Sequence, residues 1–285
     1  MSNGIARRQN ENSSIAMLAA QRQLYRDAKK FNTYLVIFSV WIPFILAVIL
    51  LFIPENTGWK YTSYISAIVS MIVGFVIDKC IEEKKQIAAF IQQKFDVYVY
   101  GMPWDKRIFG KNKSISCEVV NYSKKILDNP EEYKKLQNWY TPEVDRKNII
   151  DGILACQREN YGWDIGLRKR FKFTSILFIV ILCSGILLMG LLKDEKMAAV
   201  LCRLAFIAPM LTWMLNTVNK LDEDISTLRE IDEEINNNET KTMEDLQDIQ
   251  KLIFQHRKEC YAIPECIYNI FKDNDEDRAH REARM

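Results

Sequence analysis

The chain has 285 residues, 48% of them hydrophobic, and its 39 basic and 37 acidic side chains leave a net charge of +2. That balance excludes a polyanion binder, so neither DNA nor RNA is an expected partner. Seven cysteines without a CxxC pair, and only two histidines (His256 and His280), argue against a disulfide framework, a His-rich metal site and histidine-based catalysis.

The balance hides a gradient along the chain. Residues 1–32 carry six bases against two acids, and SSIAMLAAQRQLYRDAKKF predicts an amphipathic helix with Ile15, Leu18, Leu24 and Tyr25 on its apolar side. Such a helix either lies on the inner leaflet or packs on the insert between the second and third apolar segments. Two apolar segments follow, Tyr34 to Ile53 and Tyr61 to Ile77. Two more run from Phe173 to Leu192 and from Met197 to Val218. A helix needs roughly 17–25 residues to cross the hydrocarbon core, so each is long enough. The first starts too late and runs too long for a cleaved signal peptide.

Basic residues flank the inner ends: Arg22, Arg26, Lys29 and Lys30 before the first segment, Lys79, Lys84 and Lys85 after the second. Arg168, Lys169, Arg170 and Lys172 stand before the third and read as topology and lipid-headgroup residues. The positive-inside rule then puts both termini and residues 80–171 in the cytoplasm, with Trp59 and Tyr61 at the outer interface. The expected fold is an all-α membrane protein with four transmembrane helices in two hairpins. Its parts are a cytoplasmic helix (1–32), a hairpin (33–79), a cytoplasmic insert (80–171), a second hairpin (172–218) and a helical tail (219–285).

Within the second segment Ser63, Ser66, Ala67, Ser70 and Gly74 form a small, weakly polar stripe, which suits helix packing or pore lining. Arg203 lies near the outer end of the fourth segment, where it snorkels or faces a pore. Pro43 and Pro209 predict kinks. One four-helix bundle has a filled centre, so a conducting form requires a homo-oligomer.

The insert reads as mostly helical. The second span continues through CIEEKKQIAAFIQQKF, and Phe95–Tyr100 then alternates at period two, predicting one short strand before Gly101. Helices are expected over Ser114–Leu127, from Pro130 to Trp139-Tyr140, and from Thr141-Pro142 through Leu154. Beyond the fourth span, Leu221, Ile225, Leu228, Ile231 and Ile235 recur at helical spacing, either packing on the cytoplasmic part or pairing copies in a coiled coil. A further helix covers about Met243–Cys260, and Pro264 opens a last one before a charged tail from Lys272.

Several stretches resemble one family, the SMODS-associating four-transmembrane effectors of bacterial cyclic-oligonucleotide anti-phage (CBASS) systems. They are RQNE (Arg8–Glu11), AAQRQLYRDAKK (Ala19–Lys30), FDVYVYGMPW (Phe95–Trp104), Trp139-Tyr140 and CQRENYGWDIGLRKR (Cys156–Arg170). The resemblance implies a multi-pass effector in the bacterial inner membrane, with no catalytic activity and no cofactor. A partner nucleotidyltransferase makes a cyclic nucleotide, the cytoplasmic part binds it, and a pore or membrane disruption follows. A membrane-anchored enzyme and a small transporter are the rival readings. A cyclic oligonucleotide offers phosphates to arginine forks, bases to aromatic faces and base edges to carboxylates or amides. Arg158, Glu159, Asn160, Trp163 and Asp164 supply those groups, joined by Trp104, Arg107 and Tyr140. The alternative for the same residues is a network tying the insert to the roots of the membrane helices.

Overall fold

The structure, a computed structural model, describes residues 2–50, 60–194, 196–237 and 240–264. Every regular element among them is helical: α1 (Ile5–Gln9), α2 (Asn12–Val36), a π-helical turn (Ile37–Trp41) and α3 (Ile42–Leu50) open the chain. Next come α4 (Lys60–Tyr100), α5 (Lys106–Phe109), α6 (Ser116–Leu127), α7 (Pro130–Lys134) and a 3-10 turn (Pro142–Arg146). The long helices α8 (Ile149–Leu192) and α9 (Met197–Asn236) precede α10 (Met243–Glu259). Trp59, residues 265–285 and the side chains of Ser63, Ser66, Trp163 and Arg203 lie outside the described residues.

The expected strand at Phe95–Tyr100 is the last stretch of α4. Phe95, Asp96, Val97, Val99 and Tyr100 are all buried and only Tyr98 is exposed. The apparent alternation therefore comes from a helix covered on nearly every side, not from a two-faced strand. The helix expected to run on from Thr141-Pro142 is also divided. Asn148 caps α8 by accepting the Asp151 N–H at 2.9 Å, which separates it from the 3-10 turn. Pro43 follows the π turn closely. It has no N–H to offer the carbonyl of Ser39, so the helix widens where the kink was expected.

Helix α2 belongs to the core. Ile15, Leu18, Ala19, Ala20, Leu24 and Ala28 are buried, so this segment packs on the insert and does not lie on the leaflet. Ala20 and Leu24 meet Ala88 and Ile91 of α4, where small side chains let the two backbones approach closely. Leu221, Ile225, Leu228, Ile231 and Ile235 are buried within the same chain, the last three in the main core with Ile249 and Ile253 of α10. The repeat along α9 is thus a packing face within the chain.

The apolar segments meet at the other end. Val40, Met210 and Met214 pack with Ile179 and Leu182; Ile186, Val200 and Ile207 pack with Phe44 and Leu211. Ser70 Oγ donates to the Phe38 carbonyl at 3.0 Å, and a Cβ on Gly74 would come within 2.9 Å of Ser39 Oγ. That part of the small stripe is a helix contact. Outward from this bundle point Ile65, Ile68, Met71, Ile72, Phe75, Phe173, Ile181 and Leu188, all exposed. Among the described residues one helix, α8, is long and apolar enough by itself to cross a membrane.

Candidate functional site

Where the apolar helices run into the rest of the helical body, the interior becomes polar. Asp96 of α4 is fully buried. Its Oδ1 accepts from the Tyr140 hydroxyl at 2.6 Å, and its Oδ2 from Gln250 Nε2 at 3.0 Å and Arg257 at 2.5 Å. The Tyr100 hydroxyl donates to that of Tyr140 at 2.9 Å, and Asn160 Nδ2 bridges both hydroxyl oxygens at 3.2 and 3.1 Å. Gln250 also donates to Gln93 at 2.9 Å and accepts from Gln157 at 3.1 Å. One connected network therefore joins α4, the loop after α7, α8 and α10. Burial, with Asp96 alongside, pushes the hydroxyls of Tyr100 and Tyr140 well above their usual range, so both remain donors.

Two more clusters lie along α8. Asp164 Oδ2 accepts from Arg168 Nε at 2.9 Å and faces His256 Nε2 at 3.1 Å, while Arg168 also binds Asp224 of α9. Burial pushes the Asp164 carboxyl up, but Arg168 and His256 outweigh it and hold it well below the ordinary carboxylate range. Burial raises Asp224, only partly offset by Arg168. Arg168 itself is 4% exposed, which corrects its reading as a headgroup residue. Its neighbour Lys172 pairs with Asp222. The second cluster ties Tyr161 to Asp232, with Asn236 donating to Asp232 at 2.6 Å.

Of the eight residues expected to hold a ligand, the seven whose side chains are described do not converge on one cavity. Tyr140, Asn160 and Asp164 face inward and are bonded as described. Glu159 accepts the Thr141 N–H at 3.1 Å. Trp104 donates to the Gly110 carbonyl at 2.9 Å and meets Phe90 and Phe109 edge-on or tilted, so it closes a small aromatic corner. Arg107 is exposed and pairs with Asp105 of its own turn at 3.0 Å. Arg158 is exposed, bonded to Asn236 at 2.9 Å, and lines a shallow groove of about 330 Å³ with Lys147, Asp151, Leu154 and Ala155.

The short motifs share a structural reason. Gln9 both donates to the Tyr140 carbonyl at 3.0 Å and accepts its N–H at 2.8 Å. Asn10 binds Asn138 twice, at 2.8 and 2.9 Å, and holds it at φ 52°. Arg8 donates to the Val99 carbonyl at 2.8 Å. RQNE thus clamps the Trp139-Tyr140 turn and the end of α4. Sequence reasoning missed Gln250, His256 and Arg257 of α10. Gln250 and Arg257 lie seven residues apart among Leu246, Ile249 and Ile253, so polar groups on an apolar face were the available signal.

No solved structure matches the chain. A protein described as a probable CBASS effector molecule of Bacillus cereus (strain VD146) is 27% identical over 176 residues, 61% of this chain and 57% of the relative. The match therefore spans little more than half of that relative's length. The model of the SMODS-associating 4TM effector domain matches residues 3–285. An apolar-surfaced bundle continuous with a polar-cored body accords with a membrane protein of that description, and the chain belongs to the SMODS-associating 4TM effector family.

Proposed function

We propose that this protein is the membrane effector of an anti-phage CBASS system. A cyclic nucleotide made by a partner nucleotidyltransferase binds the cytoplasmic body, and copies of the chain then assemble into a pore that ends the infected cell. The four apolar segments span the inner membrane as two hairpins. Both termini, the insert (80–171) and the tail (219–285) lie in the cytoplasm.

Family membership supplies the system. The observation that carries the mechanism is continuity: α4 and α8 each run without a break from the polar-cored body into the apolar bundle. A displacement of the body therefore tilts or slides the same rods in the membrane. Of the expected ligand residues whose side chains are described, Arg158 combines exposure with a groove, and Lys147 adds a second positive charge there. A phosphate of the ligand is assigned to that pair. Tyr140, Asn160 and Asp164 transmit the change, since their polar atoms are engaged inside the body.

The test is dye release from liposomes holding the purified protein, with a panel of cyclic di- and trinucleotides. Release with at least one of them, lost in Arg158→Ala, is expected. Correct insertion with no release for any nucleotide contradicts the reading.

A further inference from the structure

The last residue of α10 and the short segment that follows it together touch the cytoplasmic root of each of the four apolar segments. Asn32 of α2, just before the first, donates to the Ala262 carbonyl. Lys85 of α4, beyond the second, donates to the Glu259 carbonyl at 3.3 Å. Arg168 of α8, before the third, donates to the Tyr261 carbonyl at 3.3 Å. Asp224 of α9, beyond the fourth, accepts the Tyr261 N–H at 3.0 Å.

The side chains repeat the pattern. The Tyr261 ring stacks on Phe171 at 6.3 Å, and Ile263 is buried with Leu167, Phe171 and Leu221. All four polar partners are buried: Asn32 (3%), Lys85 (3%), Arg168 (4%) and Asp224 (7%). A bond made there is not exchanged freely for water, and losing it leaves a buried group unsatisfied. The carbonyl at the C-terminus of α10 also receives a cation, as its dipole favours.

We infer that Glu259–Ile263 is a strap that holds the cytoplasmic ends of the four spanning helices together in the resting protein. The inference rests on reading the four apolar segments as spans. The strap hangs from α10, whose His256 and Arg257 reach Asp164 and Asp96. A shift of α10 within the body therefore loosens all four roots at once. The strap makes main-chain bonds to three of the roots through a backbone that is not helical, so small displacements break them without unfolding a helix.

Hydrogen exchange by mass spectrometry on the full chain in nanodiscs tests this. Tyr261→Ala removes the stack on Phe171 and is expected to raise amide exchange about tenfold or more at the four roots together, near residues 32, 85, 168 and 224. Tyr261→Phe keeps the ring and is expected to exchange as wild type. Faster exchange confined to residues 256–264 overturns the strap. If Tyr261→Ala does not accumulate, Asn32→Ala decides: faster exchange at all four roots supports the strap, and a change limited to α2 overturns it. Dye release without nucleotide is read in parallel. Loosened roots with no release leave the strap standing and count against the pore.

Discussion

Helices α4 and α8 each obey two opposite rules along their length. In the half that builds the polar-cored body their polar side chains turn inward, as Gln93, Asp96, Gln157, Asn160 and Arg168 do, and each finds a partner. In the other half their apolar side chains turn outward: Ile65, Ile68 and Phe75 on α4, Phe173, Ile181 and Leu188 on α8. The first half is what water around a body permits once buried polar groups are satisfied. The second would cost free energy in water and costs none in lipid. On α8 the change from one rule to the other falls at the level of Arg168 to Phe173, beside the proposed strap.

The largest effect is expected from unbalancing the polar half. Asp96→Ala leaves Arg257 charged and buried, and should destabilise the protein by about 3–5 kcal/mol in denaturation of the full chain in detergent. Replacing both residues by apolar ones of similar size should recover most of that loss. Next is the apolar half. Ile68→Lys places a charge among outward-facing apolar residues, and if that surface meets lipid the cost is roughly 2.5–3.5 kcal/mol, read as a smaller membrane-inserted fraction. Val120→Lys is the matched control. Val120 is 70% exposed on α6, in the polar-cored body, so the change should stay within about 0.5 kcal/mol. Equal effects at the two positions would erase the boundary.

Asn160→Ala should cost about 1–3 kcal/mol, since it removes the bridge between the Tyr100 and Tyr140 hydroxyls. A smaller, pH-dependent effect is expected at Asp164. Its carboxyl titrates below its ordinary value of about 4 in the folded protein, so its stabilisation is complete above that pH and is lost as pH falls towards the folded value. Asp224, raised by burial, gives the opposite slope just above pH 4 or so. Thermal unfolding of Asp164→Asn should therefore show less loss below about pH 4 than wild type, and Asp224→Asn should differ from wild type above it.

Much of this arrangement was legible because it is local. The span of α6, the continuation of α4 and the buried face of α9 each follow from periodicity within one helix. Arg168 was misread because its partner Asp224 lies 56 residues away, and local pattern cannot distinguish a headgroup cation from a buried ion pair. Phe95–Tyr100 was misread because period two and burial on all sides look alike over six residues. Of the ligand residues, chemical type was legible and direction was not. Asn160 and Tyr140 carry suitable groups, yet the fold spends those groups on each other. The motif residues Gln9, Asp96, Tyr140 and Asn160 build one core, a fact that only the meeting of α1, α4, α8 and α10 reveals.

The central claim is that a cyclic nucleotide acts on the polar-cored body and the same helices carry the result into the bilayer. Current across a planar bilayer holding the oriented full-length protein tests it most directly, with nucleotide added to one side at a time. Current steps only when nucleotide is on the side of the body are predicted; no steps from either side, or equal steps from both, would contradict the account.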